Sequence, residues 1–221
     1  MTPFAAIPPI PWRIAATRAA RTVPFTIALL AMLLGTTIAL HQVSSDDAML
    51  RWTSTNVQNL THRPIVSFIA SAVVLPDDRW PLTMLTLALG LGLLERRVGT
   101  ARAIGIFASG HVIATVVTEG AVGLEIHFGD LPASAATQLD VGISYGTWAM
   151  IGAALALLPS RRLRWPAAVG LAAIVVAPLV RDFDMTASGH TLAFLVGVAW
   201  WRWLPTAEPR RSVGLLPDYG V

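Results

Sequence analysis

Residues 139–158 read LDVGISYGTWAMIGAALALL and carry two competing signals. Gly142-Ile143-Ser144-Tyr145-Gly146 is a G-x-S-x-G, which in a soluble hydrolase sets a nucleophilic serine on a sharp strand-to-helix turn. From Val141 to Leu158 the same stretch is one apolar run, long enough to cross a hydrocarbon core as a helix. Either Ser144 tops a parallel sheet in a soluble enzyme, or it lies in a membrane helix. The remainder of the chain decides.

The 221 residues are 54% hydrophobic and only 13% charged, with a mean hydropathy of +0.61. Soluble domains carry about 25% charge, so the composition is that of a multispanning membrane protein. There is no cysteine, which excludes disulfides, zinc-thiolate sites and a thiol nucleophile. All sixteen basic residues are arginines, and the formal net charge is +3. These arginines are scattered between apolar runs rather than gathered on one face, so nucleic acid is not the expected partner. Arginine without lysine, together with abundant alanine, is the usage expected of a GC-rich bacterial genome.

Six apolar runs, 24–43, 80–95, 101–119, 141–158, 165–181 and 186–204, are expected to span. A seventh stretch, PIVSFIASAVVL at 64–75, has only twelve residues and is expected to be interfacial or re-entrant. Charge supports this count. Twelve arginines lie on the N-terminal side and in every second loop, against four (Arg51, Arg63, Arg79, Arg181) on the other side. That bias places both termini in the cytoplasm of a multi-pass protein of the plasma (inner) membrane. A seventh span would destroy it. The expected fold is therefore all-α, a six-helix membrane bundle over 24–204 between cytoplasmic tails at 1–23 and 205–221. The proline-rich start (Pro3, Pro8, Pro9, Pro11) and the tail after Pro205 are expected to be flexible. The first run is too long in its apolar core for a cleaved signal peptide and is read as an anchor.

Six spans leave no sheet to support a hydrolase elbow. The order Ser144, Asp184, His190 imitates the triad order of that fold by accident. Depth selects a different pairing. Ser144 lies three residues into the fourth run, about 5 Å below the outer edge, and His190 follows the start of the sixth run by four residues. His111, in a second SGH tripeptide, lies about 15 Å into the third run from the inside, nearer the midplane. Helix faces agree with His190. Ser144, Trp148 and Gly152 share one stripe, and His190, Ala193 and Gly197 another. Small residues allow two membrane helices to approach closely, as a Ser–His hydrogen bond requires. His190 is then the general base for Ser144, and Trp148 is expected to pack under the imidazole.

At this point the chain resembles the rhomboid family of intramembrane serine proteases over nearly its whole length. GISYGTWAMIG, 142–152, resembles the family's nucleophile segment, and SGHTLAFLVG, 188–197, its histidine segment with Phe194 and Gly197 in place. LERRVGTAR, 94–102, resembles the Glu-x-x-x-Gly stretch that ends the second span, through Glu95 and Gly99. The resemblance implies a catalytic dyad of Ser144 and His190, supported by Gly142, Trp148, Gly152, Ala193 and Gly197. It implies single-span membrane proteins as substrates, cut near the outer face, and a lipid bilayer as the surroundings. It implies no metal or organic cofactor.

Two departures stand out. The family places His-x-x-x-Asn on the outer part of the second span to bind the oxyanion, whereas no histidine or asparagine occurs from Arg63 to Gly110 here. Losing one such donor costs about 10²–10³ in rate. Backbone N–H groups near Ser144, or Arg79, Trp80 or Thr83, are the candidate replacements, and the oxyanion site is left unassigned. Tyr145 also stands where the family mostly has glycine. The alternative reading is a catalytically inactive rhomboid-like protein that binds membrane clients. A third, a transporter or channel, rests on His111, which is otherwise a structural hydrogen-bonder. Glu119 and Asp184 are read as solvated loop-end charges, and His41, His62 and His127 lack metal-ligand spacing.

Overall fold

A computed structural model describes residues 21–42, 46–76, 80–182 and 185–204. Among these residues the chain is all helical and contains no strand. The helices are α1 (Pro24–Gln42), α2 (Asp46–Thr53), α3 (Val57–His62), α4 (Pro64–Ser71), α5 (Trp80–Val98), α6 (Thr100–Phe128), α7 (Ser144–Ala154), α8 (Arg161–Asp182) and α9 (Met185–Ala199). Short 3₁₀ turns follow at Ala133–Thr137, Leu155–Leu157 and Trp200–Trp203. The segments expected to be flexible, and with them both tails beyond Arg21 and Leu204, lie outside the described residues, as do Arg79 and Asp184.

Each of the six apolar runs falls on a helix, but the helices are unequal. Thr100–Phe128 and Arg161–Arg181 are long and apolar enough to cross a membrane by length and composition, and Pro24–Leu40 is a shorter apolar helix. α5 ends in Glu95, Arg96 and Arg97, and α7 passes into a 3₁₀ turn after eleven residues. α6 is also longer than the apolar count gives. It continues past Glu119 to Phe128 and closes on Gly129, in the left-handed conformation at φ 85°, whose N–H reaches back to the carbonyls of Glu125 and Ile126. That C-terminal closure satisfies carbonyls that would otherwise be orphaned. Glu119 is accordingly a half-buried residue within a helix, not a loop-end charge.

The segment 64–75 forms the short α4, consistent with its being too short to span. Its polarity is inverted. Ser67 and Ser71 are fully buried, while Ile65 and Ile69 are 74% and 59% exposed. α5 likewise turns Leu82, Leu85, Leu89 and Leu93 outward. Apolar faces of this extent are unusual on a soluble monomer and suit contact with lipid.

The main core lies among α1, α5, α6 and α7, with Leu33, Leu91, Leu94, Ile106 and Ala149 fully enclosed. One carboxylate organises its far end. Glu95, 1% exposed, accepts from the backbone N–H groups of Phe25 (3.0 Å) and Thr26 (2.8 Å) and from the hydroxyls of Thr26 (2.7 Å) and Thr100 (2.8 Å). Phe25 and Thr26 open α1 just after Pro24, where backbone N–H groups have no intrahelical acceptor. The carboxylate therefore caps α1 from another helix, with the favourable sign for a helix N-terminus. Gly99, at φ 86°, joins α5 to α6 in one residue.

Glu95→Ala leaves four donors without their acceptor, and hydrogen bonds to charged groups contribute about 1.5–3 kcal/mol each. It should destabilise the protein by at least about 3 kcal/mol, and by more than Thr100→Ala, which removes one such bond of about 1.5–3 kcal/mol. Reversible unfolding in mixed micelles measures both.

Candidate active site

The site is built on α7 and on the two helices that grip it. A Cβ added at Gly197 of α9 would lie 2.0 Å from the Ala149 carbonyl oxygen, and one at Gly152 would lie 2.4 Å from the Phe194 carbonyl oxygen. On the opposite flank a Cβ at Gly110 of α6 would meet Ala149 Cβ at 2.1 Å. At Gly197 and Gly152 backbone thus meets backbone, and at Gly110 it meets the Ala149 methyl, contacts which only glycine allows. Below this contact, the Trp201 indole donates to the Gly152 carbonyl at 2.8 Å, and the Trp200 indole to Ser109 Oγ at 3.0 Å. The supporting residues Gly152, Ala193 and Gly197 are all buried at this seam.

At the other end of α7, Ser144 is the first helical residue and is half-buried. This differs from a helix beginning at Val141. The cause is Gly142, at φ 126°, where L side chains are strained. Its N–H donates to the Ser71 carbonyl at 3.2 Å, so the chain is held against α4 before it can turn into a helix. The first ladder bond runs from Thr147 N–H to the Ile143 carbonyl at 3.0 Å. The N–H groups of Ser144, Tyr145 and Gly146 therefore precede the ladder, at the partially positive end of the helix.

His190 is half-buried on α9, with its Nε2 enclosed. Its ring stands 5.6 Å from that of Tyr145, edge-on at 76°, and 5.8 Å from that of Trp148, tilted by 43°. Trp148 also meets Phe194 edge-on at 6.5 Å. The imidazole is thus packed against the side chains one and four residues after Ser144. Sequence reasoning expected Trp148 here but missed Tyr145. The readable signal was Gly189, where a Cβ would collide with the Tyr145 ring at 2.3 Å. The glycine before the histidine is the space that the tyrosine fills.

His111 does not join this group. It is 4% exposed on α6, and its Nε2 lies 3.1 Å from Ser71 Oγ and 3.1 Å from the Phe68 carbonyl. Because the Phe68 carbonyl can only accept, Nε2 carries the proton in this arrangement. His111 thereby ties α4 to α6, and Ser71 passes the restraint on through its own carbonyl to Gly142. Among the described residues no group of three or more His, Asp or Glu side chains is arranged to hold a metal.

A family model described as a rhomboid-like protein matches residues 18–209. The chain belongs to that family. Neither a curated protein nor a solved structure matches it. The fold of this rhomboid-like protein is helical throughout its described residues, and the match covers every element from α1 to α9.

One charged group braces the loop that leads to Ser144. The Asp140 carbonyl accepts from Thr55 N–H (2.8 Å) and Thr55 Oγ1 (2.9 Å), its carboxylate accepts from Thr55 Oγ1 (2.9 Å), and its N–H donates to Ser54 Oγ (3.0 Å). Burial pushes the Asp140 carboxyl above its ordinary value of 3.8, and the Thr55 bond opposes this in part.

Two outcomes follow from this geometry. Gly197→Ala should sharply lower the thermal midpoint in detergent, whereas Gly35→Ala, which meets nothing within 4 Å, should leave it within a degree or two. For Asp140 the raised folded-state value means that the folded protein holds the proton more tightly than the unfolded chain. That contribution is fully present below pH 3.8 and is lost as pH rises through the folded value. Asp140→Asn keeps the acceptor without the charge, so it should match or exceed the wild-type midpoint at pH 7 and flatten its decline above pH 4. Thermal scans from pH 4 to 8 measure the difference.

Proposed function

We propose that this rhomboid-like protein is an intramembrane serine protease in which Ser144 is the nucleophile and His190 its general base. The observation that carries this reading is the packing of the His190 ring against Tyr145 and Trp148, which follow Ser144 by one and four residues on α7. All six apolar runs cross the membrane in this reading, with both termini cytoplasmic, as the division of arginines favours. Ser144 then opens toward the outer face, where water can reach it.

The chemistry is acyl transfer. His190 removes the Ser144 proton as Oγ attacks the scissile carbonyl, and returns it to the leaving amine. The developing oxyanion needs donors in place beforehand. With no histidine or asparagine on α5, the N–H groups of Ser144 and its successors at the start of α7 take that role. Their orientation is supported by Gly142, whose N–H is already committed to Ser71. Substrates are single-span membrane proteins that unwind locally near the outer face, and small or helix-breaking residues there are the expected preference.

A second reading, an inactive relative that binds membrane clients, is favoured by one observation. Tyr145 is 5% exposed and occupies the space at Gly189, where the family mostly keeps glycine after its serine.

A serine-directed fluorophosphonate separates the two. Purified protein in detergent should be labelled, and Ser144→Ala and His190→Ala should each abolish labelling. Folded wild-type protein that stays unlabelled, beside an active rhomboid that labels, would overturn the protease reading and favour the inactive one.

A further inference from the structure

The helices between α1 and α5 carry a feature that proteolysis does not use. α4 is inside-out, with serines buried and isoleucines exposed, and only an apolar medium rewards that arrangement. Two apolar grooves, of about 330 and 300 Å³, open beside α4 and share Phe68 in their walls. The residue that begins this lipid-facing helix is an arginine. Arg63 precedes Pro64, and its guanidinium donates to the Trp52 carbonyl (2.9 Å) and to Asn59 Oδ1 (3.1 Å) while lying 4.7 Å over the Trp52 ring.

Those bonds hold Arg63 along one wall of a polar cavity of about 350 Å³, which Arg51 also lines together with Gln58 and Thr137. Arg51 is exposed; its carbonyl accepts from Asn59 Nδ2 at 2.8 Å, and its guanidinium makes no hydrogen bond or ion pair with the described residues. Two guanidinium groups in one polar cavity, with no carboxylate among its described lining residues, form a receptor for an anion. The apolar face one step along the chain says what kind of anion. A soluble anion has no use for Ile65 and Ile69, whereas an amphiphile uses both surfaces.

We propose that Arg51 and Arg63 form a headgroup site for an anionic phospholipid, taking its phosphate while its acyl chains lie along the exposed face of α4. The site anchors the segment that holds Ser71 against Gly142, but it stands whether or not Ser144 is reactive.

The test uses the full chain in detergent, titrated with phosphatidylglycerol or phosphatidylcholine and followed by native mass spectrometry. The cationic end of the molecule, with Arg96, Arg97, Arg161 and Arg162, will also hold anionic lipid. The readout is therefore the binding step lost with Arg51, not the total bound. Wild-type protein should show a phosphatidylglycerol step at least tenfold tighter than any phosphatidylcholine step. Arg51→Gln, which breaks no hydrogen bond, should weaken that step at least fivefold, and Arg51→Lys should restore most of it. Arg63→Lys keeps the charge and tests the bidentate geometry, with a smaller loss expected. Equal steps for the two lipids, or a phosphatidylglycerol step unchanged in Arg51→Gln, would overturn the proposal. So would glycerol phosphate competing as well as the intact lipid, because the acyl chains would then contribute nothing.

Discussion

Everything at the candidate site depends on backbone meeting backbone along α7. Gly197 lies against the Ala149 carbonyl and Gly152 against that of Phe194, so α7 and α9 approach as closely as two helices can. Gly110 lets α6 close on the Ala149 methyl on the opposite flank. In a lipid environment there is no hydrophobic gain in pressing helices together, and close van der Waals contact has to supply the attraction. That contact sets the spacing between the first turn of α7 and the first turns of α9. Across that spacing the His190 ring meets those of Tyr145 and Trp148.

Two polar devices keep this seam in register from its ends. At one end the Trp201 indole holds the Gly152 carbonyl as the helix tightens into its 3₁₀ turn. At the other, His111, Ser71 and Gly142 form a chain of contacts from α6 through α4 to the residue two before Ser144. Neither device touches the other, yet both act on the same eleven-residue helix. A helix this short has little stability of its own, so its position is decided by its neighbours.

The sequence was legible wherever a property is local. Apolar runs place helices because length and hydropathy are properties of a single segment, and the serine and histidine segments stand out by their own spacing. What was hidden is long-range. Ser144 starts its helix because Gly142 is bonded to Ser71, which lies in a segment readable only as interfacial. α6 extends to Phe128 through GAVGLEIHF, whose glycines and carboxylate end an apolar count, although the helix closes properly on Gly129. Tyr145 packs on His190 across two helices, and only the missing Cβ at Gly189 hints at it. His111 resolves as a structural bonder because its partner, Ser71, is forty residues away.

Glu95 has a mechanical meaning beyond its capping role. It fastens one end of α5 to the start of α1 and, through Thr100, to the start of α6, while Gly99 permits no slack between α5 and α6. From Glu95 back to Trp80, α5 makes an arm of about 22 Å at 1.5 Å per residue. Pinned at the Glu95 end, that arm swings about 0.4 Å at Trp80 for each degree of tilt. The helix is a lever whose fulcrum lies at the opposite end of the bundle from Ser144, so displacements too small to disturb the carboxylate cluster are magnified at its far tip.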